Sequence, residues 1–194
     1  MLGRSGAAMA LAVACALPAS AMAATNIECI DSGYSAKDTA TLGKYFANFR
    51  YETFDNGAME KLVPIFAARA GECASEYGWS VDAISDAVFY RTSELLGQAL
   101  TQRPPYKPED MKKLETALAR ADPARMRKIF GPIVQAQIEN SKASEMSGTD
   151  ETYLGMLLMS SGLPMEGKHV AEFAGALIGA RIMKQIYAEK FAAR

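Results

Sequence analysis

The stretch Ser80-Val-Asp-Ala-Ile-Ser-Asp-Ala-Val-Phe-Tyr-Arg-Thr-Ser-Glu-Leu-Leu-Gly-Gln-Ala-Leu-Thr-Gln102 decides the fold. Its large apolar residues, Val81, Ile84, Val88, Phe89, Leu95, Leu96 and Leu100, recur at helical spacing and do not alternate. Ser80 stands at an N-cap position, where its hydroxyl can accept a bond from an orphan backbone N–H of the first turn. The apolar positions spread over more than one stripe. A helix with that pattern needs neighbours on several sides, so this one is expected at the centre of the core.

Working outward, the same period continues almost throughout, and runs that would read as strands are poor. Upstream, the spacing predicts a helix over residues 36–50, capped by Ser35, with Leu42, Phe46 and Phe49 inward. Asp55-Asn56-Gly57 reads as a turn. A second helix is expected over 58–77, with Pro64 as a kink or restart, and with Phe66, Ala70, Cys73 and Tyr77 on one face. Gly78 should stop it. Downstream, Arg103-Pro-Pro-Tyr-Lys-Pro108 holds the chain extended as a rigid connector. Helices then follow over 109–121; over 123–142, bent near Gly131-Pro132; over 150–160, capped by Thr149; and over 166–192. Connections this short pack sequential helices as neighbours. The fold class is therefore all-α: a single-domain bundle of about seven helices spanning 25–194.

Residues 1–24 differ from the rest. Arg4 is their only charge, an apolar run extends from Ala7 to Leu17, and Pro18 precedes the small-residue run ending Ala21-Met-Ala-Ala24. A basic start, a short apolar core and an A-x-A site make a secretory signal peptide, with cleavage expected after Ala23 or Ala24. The run falls short of the roughly 20 residues that span a bilayer. Ala12-Val-Ala-Cys15 also has small residues before a cysteine, so lipidation at Cys15 is an alternative to its removal. Otherwise the mature chain is expected to be soluble and periplasmic or secreted.

Of the three cysteines, Cys29 and Cys73 remain after cleavage. In an oxidising compartment such a pair most simply forms one disulfide, tying an N-terminal segment to the helix that carries Cys73. No C-x-x-C spacing suggests a redox pair. Charges nearly balance, with 21 Lys+Arg against 22 Asp+Glu. No basic stripe appears, so nucleic acid is not an expected partner.

No motif names a reaction. His169, the single histidine, forms one Glu-x-x-His pair with Glu166, where a di-iron bundle needs two. With Glu166 or Glu172 it lacks the ligands of a zinc site. No nucleophile elbow, haem-attachment motif or phosphate loop occurs, and no cofactor or metal is expected. Met146, Met156, Met159 and Met165 are soft ligands suited to Cu(I), but within an apolar run they read more readily as core.

The favoured function is therefore a non-enzymatic helical protein of the cell envelope that binds a protein partner. Tyr153, Met156 and Met159 are the candidate surface, although burial of this apolar segment is the plainer reading. One alternative is a carrier of an apolar small molecule or lipid between helices, with Phe66, Tyr77, Phe89, Tyr153 and Phe173 as candidate lining. Another is a hydrolase using paired carboxylates among Glu72, Glu76, Asp82 and Asp86. Finally, Gly175 and Gly179 with alanines around them let a helix approach closely, either within the chain or as a homodimer seam.

Overall fold

The structure, a computed structural model, describes residues 23–53, 56–139, 141–142, 146–162 and 168–194, and excludes the side chains of 53, 56–57, 137 and 168–170. Most of the signal segment, Cys15, Met165, Glu166 and the His169 side chain thus lie outside the described residues. The described chain is all-helical, without a strand. Its helices are α1 (Ala36–Asn48), α2 (Asn56–Glu60), α3 (Val63–Tyr77), α4 (Val81–Gln102), α5 (Pro108–Arg120), α6 (Pro123–Ile138), α7 (Gly148–Ser160) and α8 (Lys168–Ala192). Apart from the single-turn α2, the seven long helices correspond to the seven expected from periodicity. Ile27–Asp31 and Tyr51–Thr53 form 3-10 turns.

Local chemistry explains most boundaries. The Ser35 hydroxyl accepts from the Asp38 N–H, and that of Ser80 from the Ala83 N–H, each at 3.1 Å. Asp122 Oδ1 accepts from the Ala124 N–H at 2.9 Å, opening α6 ahead of Pro123. Gly78, at φ 71°, closes α3. Pro64 acts as a restart: it lies in the first turn of α3, where its missing N–H costs nothing, and the expected long second helix divides there into α2 and α3. The cap of α7 is Ser147, not Thr149. Ser147 bonds the Asp150 N–H and carboxylate together, at 3.2 and 2.7 Å, so the helix begins earlier than expected. α6 runs unbroken through Pro132 and ends at Ile138, short of the expected 142.

α8 packs mainly on α4 and then on α6, while α3 covers another side of α4. The α4–α8 crossing is close because it uses small residues. Gly97 of α4 faces Ala180 of α8, and a Cβ at Gly97 would stand 3.9 Å from the Ala180 methyl. The main core joins α1, α3, α4, α5 and α8 around Phe66, Leu95, Leu114, Phe173 and Leu177. A second apolar cluster, with Met126, Ile129, Phe130, Val134, Ile178 and Ile182, ties α6 to the other side of α8. Tyr106, in the proline-rich connector, stacks edge-on against Phe173 at 5.3 Å and anchors that connector to the core.

Two expected inward residues face out instead. Tyr77 and Phe89 are exposed, the first stacked on Trp79 and the second on Tyr187. Each lies near the edge of its helix's buried face, where a ring can cover a neighbouring ring and still meet water.

Candidate functional site

Helices α4, α6 and α8 do not close against one another along their whole length. Between them lies a cleft of about 800 Å³, with its far end bounded by Met59 of α2. Its α6 wall is Phe130, Ile133, Val134 and Ala136; its α4 wall is Thr92, Ser93 and Leu96. The floor is the small-residue face of α8: Gly175, Ala176, Gly179 and Ala180, followed by Met183. A second cleft of about 410 Å³ opens between α6, α7 and α8 and shares Phe130 and Gly175 with the first. Leu154, Leu157 and Leu158 of α7 line it, with Met146 and Ala174. Phe130 thus stands between two apolar lobes. Each lobe lies in the size range of about 300–1,000 Å³ found for small-molecule sites.

The cleft follows from the sequence of α8. Gly175 and Gly179 sit mid-helix, where glycine costs up to about 1 kcal/mol relative to alanine. Nothing lies within 4 Å of a Cβ built at either position. The close crossing occurs one residue further along, at Ala180 against Gly97. The described packing therefore does not require these two glycines. They keep the floor of the cleft open.

A polar constellation adjoins the larger lobe, since the groove that Glu94 and Lys184 line shares Ser93 and Ala180 with it. Arg91 and Lys184 bond the two Glu94 oxygens at 2.6 and 2.7 Å, and Arg91 Nη1 lies 3.7 Å from Asp31. Burial, a hydrogen bond with Glu94 and the Glu94 charge push the Asp31 carboxyl up to about 7, against the pull of Arg91 and Lys184. Burial works against the Glu94 charge as well, but bonds from Lys184, Asp31 and Arg91 outweigh it and hold this carboxyl below its ordinary range. The two carboxyls are thus pushed in opposite directions, Asp31 up and Glu94 down. Glu94 and Lys184 also border a small polar groove of about 290 Å³.

Cys29 and Cys73 form the expected disulfide, with Cα atoms 6.0 Å apart. It straps the N-terminal 3-10 turn to α3, and Arg69 bonds the Ser32 and Cys29 carbonyls at 2.6 and 3.2 Å. Gly33 stands there at φ 83°, a left-handed conformation that favours glycine, with the Arg69 guanidinium against it.

On α7 the expected apolar segment divides. Met156 and Met159 are 60% and 67% exposed, while Leu158 is buried. Tyr153 is half-buried: its hydroxyl accepts from the Asp122 N–H at 3.1 Å, and Arg125 lies 3.9 Å over its ring. It joins α7 to the start of α6. Of the aromatic residues considered as cleft lining, none lines it. Phe66 and Phe173 fill the core, Tyr77 and Phe89 lie outside, and Tyr153 serves as that clasp. Of the acids considered for hydrolysis, Glu72 pairs with Arg69, while Asp82 and Asp86 both face Arg194. The described His, Cys, Asp and Glu side chains include no group able to hold a metal ion, and no described helix is long and apolar enough to cross a membrane.

These features define an all-α bundle whose helices part around a two-lobed apolar cleft. Comparison with family models, curated proteins and solved structures gives no match for this chain.

Proposed function

We propose that this protein binds and carries an apolar small molecule or lipid between α4, α6 and α8, in the cell envelope or outside the cell. One observation carries the reading: Gly175 and Gly179 hold open the floor of an apolar cleft where alanine would fit and would favour the helix. An occupant accounts for a cost that packing among the described residues does not. The export signal at residues 1–24 and the Cys29–Cys73 disulfide support the location. Native mass spectrometry of protein from its own host, with cleavage near Ala23 or Ala24, is expected to show added mass from a bound apolar molecule. Gly179→Leu, which fills the floor, should remove it. Protein that carries no such mass and binds no apolar probe sinks the reading.

A second reading is favoured by the exposure of Met156 and Met159 on the outer face of α7. Exposed thioethers make an adaptable apolar surface, suited to a protein partner. Crosslinking from position 156 in the host tests it, with the Met156→Lys and Met159→Lys double variant as the control expected to lose the crosslink. A second copy docked over Gly175 and Gly179 would appear instead as a dimer in sedimentation, lost in Gly179→Leu.

A further inference from the structure

The hydroxyls of the larger lobe point to the class of molecule it takes, an inference that rests on the binding role above. Thr92, Ser93 and Ser141 line this lobe. Each has its proton committed to a backbone carbonyl: Thr92 to Val88 at 2.8 Å, Ser93 to Phe89 at 2.7 Å and Ser141 to Ala136 at 3.4 Å. A hydroxyl has one proton and two lone pairs, so a side chain already donating can offer a ligand only an acceptor. Thr92 and Ser93 follow one another on α4, and each brings such an acceptor to the wall of the lobe. Glu151, at the smaller lobe, adds a carboxylate, again an acceptor. Among the described residues that line the two lobes, none is cationic.

A fatty-acid carboxylate or a phosphate headgroup brought here would meet oxygen lone pairs, leave its water behind and find no cation among the described lining residues. A neutral headgroup bearing O–H or N–H would find its complement. We infer that the cleft takes a neutral lipid-like molecule with a hydrogen-bond donor at its head, such as a long-chain alcohol or primary amide, seated with that donor on Thr92 and Ser93.

Three probes of equal chain length separate the terms: decan-1-ol, decyl methyl ether and decanoate. They are titrated calorimetrically into the full mature protein at pH 8. The ether is neutral but has no donor. Decan-1-ol is expected to bind about 3- to 10-fold more tightly than the ether, the range of one hydrogen bond, and decanoate more weakly than either. The Thr92→Val and Ser93→Ala double variant keeps the shape and removes both acceptors. It should erase the difference between alcohol and ether. If the ether binds as well as the alcohol, if the difference survives in the double variant, or if decanoate binds best, the headgroup inference is overturned and the cleft remains a binding site. If none of the three binds, the carrier reading itself fails.

Discussion

Asp31 shows how a single side chain can make stability depend on pH. Its carboxyl ionises near 3.8 in the unfolded chain and near 7 in the folded one. Between those values the folded protein keeps a proton that the unfolded chain has released, so stability falls as pH rises from about 4 to about 7 and levels off above. Glu94, held below its ordinary range, has the opposite sign: its contribution is present above about pH 4.5 and is lost only in more acid solution. The two windows barely overlap. Asp31→Asn keeps a donor toward Glu94 at every pH. It should stabilise the protein at pH 8 by on the order of 1–2 kcal/mol, allowing for solvent access to the side chain, and change little at pH 4.5. Urea midpoints at the two pH values measure this, and an equal loss at both would show that Asp31 is ionised throughout.

Asp86 presents the contrasting case of a buried acid with a cationic partner. It is 5% exposed and accepts from Arg194 Nε at 2.7 Å. Arg194→Ala leaves that carboxylate without its cation and is expected to lower stability. The Asp86→Asn, Arg194→Ala pair should recover part of the loss. Chemical denaturation of the single and double variants gives the comparison.

Among the elements, the N-terminal strap depends most on covalent help. Its 3-10 turn buries Ile30 but little else, and bonds from Arg69 and Trp79 hold its backbone carbonyls. The Cys29–Cys73 bridge, at a sequence separation of 44, removes loop-closure entropy worth up to roughly 4 kcal/mol from the unfolded chain. Replacing both cysteines by alanine should therefore cost about 2–4 kcal/mol. Thermal melts of the wild type with and without reductant should differ, and those of the double variant should not. Elsewhere, element identity was legible because caps and stops are local. Ser35, Ser80, Asp122 and Gly78 each act on a backbone group within four residues. The start of α7 was not legible in this way: Thr149 was the expected cap, and the paired bonds of Ser147 with Asp150 begin the helix earlier.

At the scale of the whole molecule, the cleft makes stability and occupancy one problem. A ligand bound only by the folded state raises stability by RT ln(1 + [L]/Kd), about 2.7 kcal/mol at a hundred times Kd. Gly179→Ala tests the floor directly. With room for the methyl and a better helix former, the empty protein should gain about 0.5–1 kcal/mol, while affinity for decan-1-ol falls. Loss of stability in the ligand-free variant would mean that packing, not occupancy, selects the glycine. Calorimetric melts with and without decan-1-ol report both quantities together.

The sequence by itself determined the all-α class, the seven long helices, the disulfide pairing and the small-residue face of α8, because periodicity, caps and a lone cysteine pair act over short range or leave a single choice. The fate of each apolar side chain was decided only by tertiary structure. Phe66 and Tyr77 share an expected face of α3, yet one fills the core and the other meets solvent. Met156 and Leu158 sit in one apolar run, yet only the leucine is covered. The opposite shifts of Asp31 and Glu94 are likewise tertiary, since residues far apart in sequence perturb one another only when α4, α8 and the strap meet. The cleft is the strongest case. Glycine at 175 and 179 permits either a tight crossing or an open floor, and the choice rests on where α4 and α6 come to lie, which no local interaction of α8 encodes.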